Sequence, residues 1–311
     1  MKRDFVSIFD LNKEEIYEIF DITKKLKESQ KKGVAHKILN DKTLAMIFEK
    51  PSLRTRVTFE TGMTQLGGHA IYLAPSDIQL GTRETVPDAA KNLSRWVDII
   101  MARVFVHKTV EDLAKSATIS VINGLSDLEH PCQIMCDLFT VIEKKNSISD
   151  ITIAYIGDGN NVCNSFVAAS CLLGFTLNIA TPKGYEPHKD YLAKNNSIDL
   201  TNEPKKAVQY ADIIYTDVWA SMGQEKEAKK RMTKTITITI SDFAHNVWKE
   251  IPHGARSKLV NNFLIENAAA LMNPETYRGI EGIKQPEQTP EQSIRNQFIK
   301  LMDKTEEPEE T

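Results

Sequence analysis

The feature that most limits the fold of this chain is a repeated exchange of short apolar runs with amphipathic stretches of helical period. Residues 43–48 (TLAMIF) form a compact apolar run, whereas Lys13 to Lys32 place Ile16, Ile19, Phe20, Ile22 and Leu26 close to a 3.6-residue spacing, with charges between them. The exchange then recurs. Strands are expected at Ala70 to Leu73, Ile99 to Val104 and Ser120 to Asn123, and helices at Arg54 to Leu66, Val86 to Trp96, Val110 to Ser116 and Pro131 to about Glu143. Strands separated by whole helices argue for a parallel sheet covered on both faces, because parallel neighbours need a long crossover.

A second series follows the polar stretch Lys144 to Asp150. It reads as strand Ile151 to Ile156, helix Cys163 to Leu173, strand Thr176 to Ala180, helix Pro187 to Asn195 and strand Ile213 to Thr216. The expected fold class is α/β: two similar doubly wound parallel-sheet lobes with a ligand cleft between them. A length of 311 residues suits two domains, read here as 1–146 and 147–302, followed by an acidic, proline-containing tail at 303–311 of disordered character. Past residue 230 the pattern weakens, and residues 235–240 (TITITI) read as an alternating strand.

Charge and cysteine usage exclude several function classes. The net charge is −3, and the tail alone holds five acids and one lysine, so the remaining residues sum to +1. No overall basic field draws the chain to nucleic acid or to an anionic membrane, and any phosphate must be held locally. The four cysteines, Cys132, Cys136, Cys163 and Cys171, include no C-x-x-C pair. They read as reduced, mostly buried thiols rather than a disulfide scaffold or a zinc site, and nothing calls for a metal or a cofactor. The longest apolar stretch, Phe166 to Phe175, is broken by Ser170 and Gly174 and falls short of the ~18 residues that span a bilayer. The N-terminus has no leader-type apolar region, so a soluble cytoplasmic protein is expected.

The segment of densest chemistry is residues 48–56, Phe-Glu-Lys-Pro-Ser-Leu-Arg-Thr-Arg. An apolar strand feeds a Pro-Ser turn and then a helix start, where free backbone N–H groups and the helix dipole favour an anion. Two guanidiniums and two hydroxyls within five residues add charge-assisted donors. Taken alone, such a start also suits a solvated basic helix end; the preceding strand favours phosphate. His130 before Pro131 reads, alone, as a cap or a packed histidine, and Asp217 as a helix cap.

This segment resembles the Ser-x-Arg-Thr-Arg motif of the aspartate and ornithine carbamoyltransferases. The likeness continues, in order, through Met101-Ala102-Arg103, Glu129-His130-Pro131-Cys132-Gln133, Gly157-Asp158-Gly159-Asn160-Asn161 and residues 217–225 (DVWASMGQE). The last two motifs resemble the ornithine branch. The resemblance implies transfer of a carbamoyl group from carbamoyl phosphate to L-ornithine, giving L-citrulline and phosphate, with carbamoyl phosphate on the first lobe and ornithine on the second. It implies that Ser52, Leu53, Arg54, Thr55 and Arg56, with their backbone amides, hold the phosphate together with Arg103. Thr55, Arg103 and His130 would stabilise the carbamoyl oxygen as it gains charge, and Gln133 would bond the carbamoyl NH2. Asn161 would hold the α-carboxylate of ornithine and Asp217 its α-ammonium, with Ser221 and Met222 completing the cradle. Gln79 lies in a loop that, in the family, reaches into a neighbouring subunit, which implies a homotrimer with shared sites.

The chain departs from the family after about residue 232. The ornithine branch carries a His-Cys-Leu-Pro loop beside the acceptor side chain, whereas no cysteine follows Cys171 here; the usual late arginine is also missing, Glu266-Asn267 being followed by Ala268-Ala269-Ala270. His245, His253, Arg256 and Arg278 are the available substitutes. Two alternatives to the ornithine transferase follow: a homologue of the same fold that captures carbamoyl phosphate with little turnover, and a carbamoyltransferase for another amine. Citrulline formation separates them.

Overall fold

The computed structural model describes residues 2–195 and 197–217, all within one compact unit, Met1–Thr235. Strands β1 (Thr43–Phe48), β2 (His69–Leu73), β3 (Ile99–Arg103) and β4 (Ser120–Leu125) form a parallel sheet in the order β2-β1-β3-β4. Strands β5 (Thr152–Ile156), β6 (Thr176–Ala180), β7 (Asp199–Thr201) and β8 (Ile213–Thr216) form a second, in the order β7-β6-β5-β8. The helices are α1 (Lys13–Lys31), α2 (Leu53–Gln65), α3 (Pro75–Ile78), α4 (Val86–Trp96), α5 (His107–Ser116), α6 (Pro131–Lys145), α7 (Asn161–Leu173), α8 (Lys189–Leu192) and α9 (Pro204–Ala207). The expected α/β class with two doubly wound parallel sheets holds. Among the described residues no helix is long and apolar enough to cross a membrane.

Local chemistry sets the boundaries that matter. Helix α1 starts in a reciprocal cap, Glu15 N–H to the Asn12 side chain and Asn12 N–H to the Glu15 carboxylate, each at 2.9 Å. Helix α6 opens on Pro131, which lacks the N–H that would be unpaired there, and ends on Asn146 at a left-handed φ of 64°. Helix α5 begins three residues before the expected Val110, because Asp127 accepts the His107 N–H at 2.7 Å and so caps the first turn. Helix α8 covers only four of the nine residues expected to be helical; the run Ala193-Lys194-Asn195 offers no apolar face to continue it. Strand β7 was not expected, since Asp-Leu-Thr carries too little apolar pattern to announce an edge strand. Of the cysteines, Cys163 is buried but Cys136 and Cys171 are exposed, so the expectation of mostly buried thiols fails; all four are unpaired.

Each sheet has a switch point, the place where consecutive crossovers leave a strand in opposite directions. In the first it lies between β1 and β3, where Phe48 is in register with Arg103. In the second it lies between β5 and β8. One apolar cluster joins Ile8, Ile16 and Phe20 near the N-terminus to Ile134, Leu138 and Phe139 of α6 and to Tyr155, Phe166 and Val167 of the second sheet and α7.

A buried carboxylate braces the same region. Glu129 is fully buried, and its oxygens accept from the Ser7 hydroxyl, the Ile8 N–H at 3.1 Å, the Ser165 hydroxyl at 3.3 Å and the Tyr191 hydroxyl. A carboxylate removed from water needs such donors, and these come from the N-terminal turn, α7 and α8. Glu129→Ala is expected to cost about 3–5 kcal/mol by stranding those donors, and Glu129→Gln, which keeps an acceptor, to cost less. Urea unfolding midpoints at unchanged slope measure this; an alanine variant within ~0.5 kcal/mol of the parent would show that the brace contributes no more than a surface contact.

Candidate active site

The site is built where β1 and β3 end. Ser52 caps α2, its hydroxyl accepting the Thr55 N–H at 3.3 Å and lying 3.1 Å from the Thr55 hydroxyl. The first-turn N–H groups of Leu53 and Arg54 precede that capped amide, and they are donors of the kind an anion takes up at a helix start. The Leu53 side chain itself is 80% exposed, so only its backbone serves such a role.

Arg103 closes this corner from β3. It is 7% exposed, its Nη1 donates to the Thr55 hydroxyl at a long 3.4 Å, and its Nε is buried with no partner among the described residues. Burial lowers its pKa, and the nearby charge of Arg54 adds to that. Lys50, just before α2, is likewise lowered by burial and then by Arg103, with the charges of Asp127 and Glu49 acting the other way; its ammonium lies 4.9 Å from the Phe105 ring centroid. Three cations are thus crowded at the switch point, and the nearest acid of the motif, Glu49, spends a carboxylate oxygen on the Phe105 N–H at 2.7 Å. A dianion bound here relieves that repulsion.

His130 is the N-cap residue of α6. Its N–H donates to Ser165 Oγ at 2.9 Å, and that hydroxyl in turn donates to Glu129, so α7 of the second sheet fixes the imidazole's backbone. The ring Nδ1 is buried and unpartnered. Burial, with a further contribution from the Arg103 charge, holds its pKa down to about 4. The imidazole is therefore neutral at physiological pH and carries one N–H to donate.

A second group of side chains gathers at the second switch point. Asn160 caps α7, its Oδ1 accepting the N–H groups of Val162 at 3.0 Å and Cys163 at 3.1 Å, while its Nδ2 donates to Asp217 Oδ2 at 2.8 Å. Asp217 follows β8 and is held by that amide. Asn161, the first residue of α7, donates to the Ser126 carbonyl at 2.6 Å, across to the loop after β4. The turn tolerates no side chain at Gly159: a Cβ there would meet Pro187 N at 2.2 Å and the Glu186 carbonyl carbon at 2.3 Å.

Some expected residues make no direct contact with these groups. Arg56 donates to Glu60 at 2.9 Å, and its guanidinium lies 3.8 Å from the Tyr72 ring centroid, so both its charge and its face are engaged along α2 and β2. Gln79 sits at a left-handed φ of 45° at the end of α3, exposed, with no side-chain partner among the described residues. Gln133 is exposed on α6 and donates to Asp137 at 3.0 Å. Ser221, Met222, His245, His253, Arg256, Arg278, the strand expected at 235–240 and the acidic tail lie outside the described residues. Lys50, Glu129, Asp137 and Asn160 carry no role that sequence reasoning assigns. Lys50, Glu129 and Asn160 stand inside quoted motifs, where adjacency is their one signal; the buried role of Glu129 depends on distant partners.

The architecture has close counterparts. Residues 3–143 match the family model described as aspartate/ornithine carbamoyltransferase, carbamoyl-P binding domain, and residues 149–250 the model of its Asp/Orn binding domain. The chain is 53% identical over 237 residues to an ornithine carbamoyltransferase of Pyrococcus horikoshii, covering 74% of this chain and 75% of that one. It is 47% identical over 244 residues to one from Archaeoglobus fulgidus, covering 77% and 80%. Among solved structures, the ornithine carbamoyltransferase from Pyrococcus furiosus superposes with a TM-score of 0.72 at 51% identity over 74% of this chain and 76% of that chain. The anabolic enzyme from Campylobacter jejuni gives 0.70 at 37% identity over 79% and 82%. Matched by both family models in turn and about half identical to these relatives over three quarters of its length, the chain belongs to the aspartate/ornithine carbamoyltransferase family.

Proposed function

We infer that this chain transfers the carbamoyl group of carbamoyl phosphate to the side-chain amine of L-ornithine, giving L-citrulline and phosphate. The observation that carries the reading is Arg103: a buried guanidinium without a carboxylate partner among the described residues, facing Arg54 at a strand-to-helix anion site. Relatives about half identical over three quarters of the chain, all named for ornithine carbamoyl transfer, supply the substrate pair.

In this reading Ser52, the amides of Leu53 and Arg54, the Arg54 side chain and Arg103 bind the phosphate, with Arg56 turning in from Glu60 when ligand is present. The neutral ornithine amine attacks the carbamoyl carbon, and charge builds on the carbamoyl oxygen. Arg103, Thr55 and the neutral His130 donate to it; donors fixed before the reaction lower the barrier without reorganising. The carbon–oxygen bond to phosphate then breaks, the surplus proton of the attacking nitrogen passes to the leaving phosphate oxygen, and the resulting hydrogen phosphate dianion stays against the cations that already repel one another. On the acceptor side, Asn161 takes the α-carboxylate and Asp217, held by Asn160, the α-ammonium, with Ser221 and Met222 beside them. A homotrimer in the cytoplasm belongs to the same reading. Its support is that Gln79 is exposed with no side-chain partner among the described residues, while Leu53, Val57 and Phe105 leave apolar surface uncovered.

Purified full-length chain supplied with carbamoyl phosphate and L-ornithine is expected to form citrulline, and Arg103→Ala to lower kcat/KM by roughly 10²–10³. Carbamoyl phosphate binding without citrulline above background would overturn the transferase reading in favour of a capture protein. For His130, the depressed value near 4 means the ring stays neutral as pH falls through the range where an ordinary histidine, near 6.5, gains its proton. Its ring-proton resonance, assigned against His130→Asn, should stay flat between about pH 5 and 8; an inflection near 6.5 would contradict a desolvated neutral donor.

A further inference from the structure

We propose that Asp137 is a positioning residue that fixes which end of the Gln133 amide faces the donor substrate and ties that amide to the strand leading to Asp217. The proposal rests on the reading of Gln133 as the partner of the carbamoyl NH2. Gln133 and Asp137 stand one turn apart on α6, and Gln133 Nε2 donates to Asp137 Oδ1 at 3.0 Å. The other carboxylate oxygen accepts from the Tyr215 hydroxyl at 2.9 Å, across to β8.

The chemistry of the three groups leaves one arrangement. A carboxylate only accepts hydrogen bonds, so the NH2 end of Gln133 must face Asp137 and the amide cannot flip. Its Oε1 is then the free end, with no protein partner among the described residues, on an exposed side chain. A carbonyl oxygen accepts from the N–H of a carbamoyl group, whereas a flipped amide would set NH2 against NH2. The tether is also rigid. Tyr215 stacks on Tyr155 at 5.8 Å between ring centroids and meets Phe166 edge-on at 4.6 Å, so its hydroxyl cannot follow Asp137 into solvent. Burial pushes the Asp137 carboxyl up and the charge of Asp217 adds to it, against the two hydrogen bonds that favour the carboxylate. An isolated i,i+4 pair on a helix surface is worth little; the third member, two residues before Asp217, makes this one a link between donor and acceptor sides.

The inference makes a chemical distinction that a purely structural role does not. Acetyl phosphate has the phosphate and the carbonyl of carbamoyl phosphate but a methyl where the NH2 stands. Calorimetric titration of the full chain with each compound should show tighter binding of carbamoyl phosphate. Gln133→Ala should erase about tenfold of that preference and leave acetyl phosphate unchanged. Asp137→Asn, whose own NH2 lets Gln133 flip, should do the same, with no further loss when both substitutions are combined. Tyr215→Phe, which removes one tether and keeps the ring packing, should shift the preference part of the way. If Asp137→Asn keeps the preference that Gln133→Ala loses, or weakens both ligands equally, the positioning role is overturned while the reading of Gln133 stands. If Gln133→Ala keeps the preference, both fall.

Discussion

Glu129 shows how a single buried charge can organise a site it does not enter. Its carboxylate is out of water and has no cation within ion-pair distance among the described residues, so donated hydrogen bonds alone hold it. Those donors are spread from Ser7 to Tyr191 along the chain, and the next residue is His130. The position of the imidazole therefore depends on closure of the N-terminal turn and on docking of α7 and α8. Local structure alone cannot make the site; it forms with the packing of the second sheet.

The two switch points then divide the electrostatic work. The first sheet contributes cations, Lys50, Arg54 and Arg103, mutually destabilised in the absence of an anion. The second contributes acids: Asp217 and Asp158 both act on Tyr155, and Asp217 acts on Asp137 across to α6. Such a division of charge is of the kind that suits a dianion on one side and an α-ammonium on the other. The neutral His130 adds no charge of its own to the cations beside it.

The sequence made the frame legible where the signal is local. The bounds of β1, α4, β6 and β8 coincide with those expected, because each is an apolar run or a strongly one-sided helix closed by turn residues. Motif order also singles out Arg103, Thr55 and His130, and the structure brings Arg103 and Thr55 within reach of each other. Contacts between distant segments were not legible: Glu129 meets Ser7 across 122 residues, and Asp137 meets Tyr215 across 78. Arg56 is the instructive case, because its pairing with Glu60 follows from i,i+4 spacing and was readable. The motif drew attention to its charge and away from its helical neighbour.

The contact at Gly159 has a consequence of a different kind. Every other amino acid carries a Cβ, and here that atom would fall within 2.6 Å of the Tyr185 carbonyl oxygen and closer still to the next two residues. Any single substitution at this position meets backbone rather than a yielding side chain. The turn after β5 and the loop at 185–187 are therefore fitted backbone to backbone, so a side chain at position 159 requires the 185–187 main chain to move with it.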